Sequence, residues 1–392
     1  MNAITLDSAV TQTRPWSAVG SMALCVALLI ASEFMPVSLL TPIATDLHAT
    51  PGMAGQAISI SGLFAVLTSI LIPSVSSRFD RRHVLIGLTG LMLASLVMIA
   101  EAFNFTALMT ARALLGVSIG GFWSLATATI MRLVPEHVVP KALAIVYTGN
   151  AVATAFAAPI GSYLGGVIGW RGVFWALVPL VIINLAWQWS SLPTLPSSAP
   201  APLSKVFRLL KRPKVAFAMV GVSLTFAGAF AMFTYLRPFL ESVTRVSVKE
   251  LSLLLLGLGA AGFLGTYAAG RLLTRRLQFL LWMLPVALAV VTIGLFITGR
   301  SVSIVAPLLI AWGAINSAIP VAWSAWLAKE ITDEPESGGG LMVAAIQLSI
   351  MLGAALGGWL LDHWSISATF LASVALLACA AVTVRLLNGI RD

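Results

Sequence analysis

Three ionisable residues stand in stretches too apolar to need them. Glu33 lies in LLIASEFMPVSLL, Arg112 in TARALLGVSIGGFW and Arg237 in FTYLRPFL. A carboxylate in hydrocarbon is expensive, so Glu33 must face protein or a water-filled cavity. A carboxyl that takes up and releases a proton there is a candidate proton carrier. Arginine does not shed its proton, so Arg112 and Arg237 need a counter-charge or carbonyls. Arg112 is the candidate partner of Glu33 in proton coupling. Pro36 follows Glu33 by three residues. It frees a backbone carbonyl one turn earlier and can bend the helix there. Gly116 and Gly120 lie at i+4 and i+8 from Arg112 and flatten its face for close helix approach. Phe233, Tyr235, Pro238 and Phe239 surround Arg237, so a cation sits among rings that can hold a planar polar ligand.

Uncharged groups extend the set. Gln56, Asn150, Asn316 and Gln347 interrupt apolar runs. A polar solute crossing a membrane needs replacement hydrogen bonds, and amides both donate and accept. Trp123, Trp323 and Trp326 offer stacking surfaces, and Tyr235 joins the candidate substrate-binding set. Each of these residues can also serve only to join helices. The run Gly149 to Gly166, with Pro159 and Gly161 inside, is rich in small residues. It suits a close-packed helix, whether at a moving interface or a static one.

These residues must be positioned by membrane-spanning helices. Hydrophobic residues make up 59% of the 392 and charged residues 9%, with a mean hydropathy of +0.98. A soluble domain carries about 25% charged residues. The balance excludes a water-soluble enzyme and a disordered chain, and leaves no room for a soluble domain of useful size. A spanning helix takes roughly 20 apolar residues. Twelve segments are expected near 18–44, 53–76, 83–102, 106–132, 140–163, 170–191, 214–240, 248–272, 277–298, 302–328, 337–361 and 366–388. No short apolar core with a small-residue cleavage site opens the sequence, so the first span is expected to stay in the mature protein.

The middle differs. LPTLPSSAPAPLSKVFRLLKRP, residues 192–213, has four prolines before a basic stretch and reads as a linker. The expected organisation is a tail 1–17, a six-helix bundle 18–191, the linker 192–213, a second bundle 214–388 and a tail 389–392. With the N-terminus inside, seventeen Lys and Arg fall on the side of the termini and four on the other. That bias places both termini in the cytoplasm and accounts for the net charge of +9 without nucleic acid. The halves repeat weakly. Gly116 and Trp123-Ser124 recur as Gly313 and Trp323-Ser324, and Arg81-Arg82 as Arg275-Arg276. The fold class expected is therefore an all-α polytopic membrane protein, with twelve helices in two pseudo-symmetric bundles. Secondary transporters built from such repeats hold their substrate between them near the midplane. There is no Gly-rich nucleotide loop. His and Cys form no metal-ligand spacing, so no cofactor, metal or enzyme activity is expected.

At this point the sequence resembles the major facilitator superfamily, in its twelve-span drug:proton antiporter type. PSVSSRFDRRHVL, residues 73–85, is similar to the family's signature loop between the second and third spans. Arg78 matches its arginine, and Arg81 and Arg82 match its basic pair. Pro73, Ser77 and Asp80 stand where glycine, aspartate and glycine are usual, leaving Asp80 as a partial substitute in the charge relay of a gating loop. Arg112, Gly116 and Gly120 resemble the fourth-span motif, whose arginine supports proton coupling. Gly149, Pro159 and Gly161 resemble the fifth-span antiporter motif, with Ala158 replacing a glycine. Within the superfamily, EFMPVSLLTPIATDL, GGFWSLATATIMRLVPEHVVPKAL and FTYLRPF look like bacterial purine ribonucleoside efflux proteins. Arabinose-type sugar exporters come next. The resemblance implies a monomeric carrier in the bacterial inner membrane. It would be driven by a proton gradient and export a small polar solute, with lipophilic drugs as the rival cargo.

Overall fold

The computed structural model describes residues 4–76, 78–196, 208–333 and 335–387. The middle of the expected linker (197–207) and the tail 389–392 lie outside them. Nearly every described residue is helical. In hydrocarbon a helix satisfies its own backbone, which is why the apolar runs take this form. The helices α1 (Ile4–Asp46), α2 (Pro51–Ser76), α3 (Arg81–Ala100) and α4 (Phe105–Leu133) open the chain. Helix Val139–Ser191 follows and is broken at Gly169, whose φ is 74°. At about 1.5 Å per residue its length is more than twice the hydrocarbon thickness. It therefore supplies two spans, α5 (139–168) and α6 (170–191). In the second half come α7 (Pro213–Phe233), α10 (Val302–Glu330), α11 (Pro335–His363) and α12 (Ile366–Leu387). Helix Val248–Thr298 is interrupted at Arg276 and supplies α8 (248–275) and α9 (277–298).

The segments expected from the sequence are present, with one correction. Helix α1 begins at Ile4, and its apolar part runs from Pro15, near the expected span start at 18. The seventh segment is not one helix to residue 240. Pro238 has no N–H for the Thr234 carbonyl, and α7 stops at Phe233. A one-turn helix Leu236–Phe239 and a π-turn Leu240–Thr244 complete that span.

The apolar core falls into two clusters. One gathers α1 to α6, with Tyr235 as a visitor from the other half. The second gathers α7 to α12, with Val37, Ile58 and Ala158 as visitors. Small residues set the closest crossings. A methyl on Gly116 would overlap the Ser61 carbonyl of α2, and one on Gly120 the Ala65 carbonyl. The repeat is met in α8 and α10, where Gly313 lies against the Leu258 carbonyl and Gly265 against the Ala314 carbonyl.

Two similar substitutions should therefore part ways. Gly120→Ala is expected to lower stability by roughly 1–3 kcal/mol through overlap with α2. Gly87→Ala meets nothing within 4 Å. It should be neutral or stabilise by up to about 1 kcal/mol through helix propensity. Thermal unfolding of the purified variants in detergent checks both.

Candidate functional site

Proline in a helix deprives the carbonyl four residues earlier of its donor. In α1, Pro36 frees the Ser32 carbonyl and Pro42 frees the Ser38 carbonyl. Each freed carbonyl is taken by a buried arginine. Arg112 of α4 donates from Nη1 to Ser32 O at 2.8 Å, from Nη2 to Glu33 O at 3.3 Å and from Nε to Ala57 O at 2.9 Å. Arg237 donates from Nη1 to Ser38 O. Arg112 is fully buried, so its head does not reach the membrane surface. It ties α4 to α1 and α2, and Ser61 adds a bond to the Arg112 carbonyl at 3.0 Å.

Glu33 is 2% exposed on α1. Among the described residues its carboxylate forms no ion pair within 4 Å. The polar groups acting on it are the Arg112 guanidinium and the side chain of Gln347, which belongs to α11 of the other half. The acid therefore stands where the halves meet, with a cation behind it and an amide in front.

Two seams join the halves. In the first, α2 meets α11. Gln56 donates to Ala355 O at 3.3 Å and Ser59 to Met351 O at 3.1 Å. Tyr235 is fully buried, donates to Ala354 O of its own bundle at 2.7 Å and packs against Gly55 of α2. Its hydroxyl fits only because residues 55 and 358 are glycines. At the end of this seam Asp362 accepts from the Gly52 N–H at 2.9 Å and from Thr50 at 2.5 Å. A residue of one half thus caps a helix of the other. In the second seam, α5 meets α8. Gly259 lies on the Ala155 carbonyl, which Pro159 has freed, and Ser252 donates to Ser162 at 3.0 Å. A third contact joins α1 to the π-turn. Arg237 pairs with Glu241 at 2.7 Å, and Thr41 donates to Glu241 at 2.5 Å. These bonds lie between the midplane and the end of the molecule opposite the termini.

Several candidates from the sequence meet here, and others do not. Glu33, Arg112 and Gln347 share one neighbourhood, and Gln56, Tyr235 and Arg237 join the halves. Gly149 lies against the Ala23 carbonyl and Gly161 against the Ser38 hydroxyl, so the fifth-span motif packs on α1. Pro159 is buried beside it. Asn150 and Asn316 are half-buried. Trp123 is half-buried against Tyr147, with centroids 5.9 Å apart. Trp323 and Trp326 pack edge to face in the core of the second half. In the signature loop, Arg78 is exposed. Asp80 caps α3 by accepting from Arg82 N at 2.8 Å and holds the Leu195 N–H at 3.0 Å. The Arg81 N–H donates to Leu195 O at 3.0 Å, and Arg82 donates to Trp189 O at 2.6 Å. The loop therefore fastens the start of the linker to the first bundle. Sequence reasoning missed Glu241, Asp362 and Trp312.

Two bundles of spanning helices with a buried acid at their meeting place define a membrane transporter. The chain belongs to the Major Facilitator Superfamily, whose sequence pattern matches residues 22–339. It is 50% identical over 374 residues to the transcription regulatory protein OpdE of Pseudomonas aeruginosa PAO1, covering 94% of this chain and 93% of that one. It is 39% identical over 372 residues to the purine ribonucleoside efflux pump NepI of Salmonella typhimurium LT2, covering 95% and 94%. Two solved structures share the fold. One is a bacterial homolog of the human lysosomal transporter Spinster, inward-facing and unoccupied, with a TM-score of 0.79 and 16% identity over 96% of this chain and 97% of that one. The other is the nucleoside transporter NupG, with a TM-score of 0.77 and 12% identity over 94% and 99%. The family consists of transporters, so this protein is not an enzyme.

The carbonyl fork makes a prediction. Arg112→Met removes three bonds to carbonyls, leaves Ser32 O without a donor and should cost about 2–5 kcal/mol. Pro36→Ala restores an N–H to Ser32 O. In the Arg112→Met background it should recover about 1 kcal/mol, more than it adds to the wild type. A double-mutant cycle on denaturant unfolding measures the difference.

Proposed function

We propose that this protein exports purine ribonucleosides from the cytoplasm in exchange for protons, by alternating access. The observation that carries the reading is Glu33, a buried acid at the meeting of the halves that faces Gln347 of the opposite bundle. The 39% identity to a purine ribonucleoside efflux pump supports the cargo. The regulatory name of the Pseudomonas relative points elsewhere, but a chain of apolar spanning helices supports transport over DNA contact. The lysine and arginine bias supports cytoplasmic termini and residence in a bacterial inner membrane. The bundles 18–191 and 214–388 are the moving halves, joined by the linker 192–213.

In this reading the structure is the state open to the cytoplasm, because the bonds between halves lie toward the opposite end. Substrate enters from the cytoplasmic side and meets the amides of Gln347 and Asn316. The seams of α2 with α11 and of α5 with α8 then separate. Glu33 takes a proton from outside and gives it up inside. Arg112 does not travel, since its three carbonyl bonds fix it to α1 and α2. Its role is to hold a positive potential behind the acid, which attracts the ionised form and is felt less by the protonated one. Arg237 and Glu241 act at the outer closure, and the loop Arg78 to Arg82 anchors the linker. No cofactor takes part, and one chain suffices.

Two measurements test this. Inside-out vesicles holding the protein should accumulate labelled inosine when a pH gradient is imposed, above vesicles without it. Arabinose accumulation without inosine accumulation would turn the reading to sugars. Glu33→Gln should still exchange labelled for unlabelled inosine across the membrane, while gradient-driven accumulation falls at least tenfold. Retained gradient-driven accumulation would remove Glu33 as the proton carrier.

A further inference from the structure

Among the described residues, the second bundle holds buried polar groups that no protein group satisfies. Trp312 on α10 is 1% exposed, and its indole Nε1 has no hydrogen-bond partner. The hydroxyl of Thr234 is fully buried and also unpartnered. Buried donors in this condition are costly, and native proteins leave few of them. Two carbonyls beside them have lost their helical donors. Pro238 takes the donor from Thr234 O, and Pro320 takes it from Asn316 O. Asn316 lies one turn along α10 from Trp312, so the two share a face.

An aromatic row runs from these groups across the seam to Phe34. The ring of Phe233 stacks on Trp312 with centroids 5.5 Å apart and planes 6° apart. Phe230 meets Phe233 edge to face at 5.7 Å. Across the seam, Phe34 of the first half meets Phe230 at 5.6 Å. Phe34 is the residue after Glu33. Phe233 is only half-buried, so part of its surface is free of the stack. It is also the last residue of α7 before the break. Interrupted helices near the midplane are where transporters of this kind expose backbone groups to a solute.

We infer that the broken end of α7 and the Trp312–Asn316 face of α10 form the slot that reads the base of the solute, with the indole N–H and the Thr234 hydroxyl as its donors. The chemical class that fits is a planar heterocycle bearing hydrogen-bond acceptors. This inference rests on the nucleoside reading and adds to it the residues that set specificity. A ring against Phe233 supplies stacking, and an acceptor beside it relieves the unpaired donors. A hydrocarbon cation supplies no such acceptor. Trp312 has a second property that a purely structural tryptophan lacks. Replacing it by phenylalanine keeps a ring on Phe233 and removes a buried N–H that stabilises nothing in the free protein.

The test is equilibrium binding of inosine to the purified full-length protein by calorimetry, paired with thermal unfolding of the free protein. Trp312→Phe should bind about tenfold more weakly, the equivalent of one hydrogen bond, and should melt at or above the wild-type temperature. Wild-type affinity in this variant would overturn the slot. If Trp312→Phe instead melts well below wild type, Thr234→Val decides. This change is close to isosteric and removes only the second donor. Weaker inosine binding with unchanged melting supports the slot, and unchanged binding overturns it. A wild-type protein that binds neither inosine nor guanosine defeats the nucleoside reading and the slot with it. Binding in the wild type with no loss in either variant defeats the slot alone.

Discussion

A carbonyl freed inside a membrane has no water to turn to, and much of this structure follows from that. Pro36 and Pro42 each strip a donor from α1, and in each case a buried arginine replaces it. The two arginines come from different halves. Arg112 binds α1 to its own bundle, while Arg237 binds it to the other. The first helix therefore has one carbonyl committed to a permanent partner and another committed to a partner that can leave. Pro159 repeats the device on α5, where the freed Ala155 carbonyl lies under Gly259 of α8. Proline here works as an address label for cross-helix contacts, beyond any bend it causes.

The same logic separates what must stay fixed from what can move. Arg112 makes its bonds to backbone, and backbone positions within one bundle keep their distances. Most of the bonds between halves are single hydrogen bonds from side chains such as Gln56, Ser59 and Ser252, and each is modest in strength. Asp362 crosses with two bonds, from Thr50 and Gly52, and Glu241 with one, from Thr41; both acids sit nearest the closed end. Their side chains are within reach of water once the halves part, so the bonds they lose are replaced there.

Much of the architecture was legible in the residues. Span count and the close approach of α4 to a neighbouring helix follow from apolar length and glycine spacing. The break in α7 was not anticipated, although Pro238 was in view. A proline near the end of an apolar run reads as a helix stop only once the residues after it are seen to continue the span. The site was half legible. Glu33 and Arg112 stood out because charge in hydrocarbon is rare. Trp323 and Trp312 did not sort themselves, because both lie in the same kind of apolar run on one helix. Both are buried, and which of them lies against Phe233 depends on the rotation of α10, which local sequence does not encode. Arg237 was seen among aromatic residues, yet its partners Ser38 and Glu241 depend on how the second half docks.

The carbonyl fork also bears on how the chain is made. Arg112 is costly to place in a bilayer by itself. Its acceptors, Ser32, Glu33 and Ala57, belong to helices synthesised earlier. When α4 enters the membrane, a receiving surface on α1 and α2 must already be waiting beside it. Chain order and bonding order thus coincide: every acceptor of the Arg112 head precedes it in the sequence.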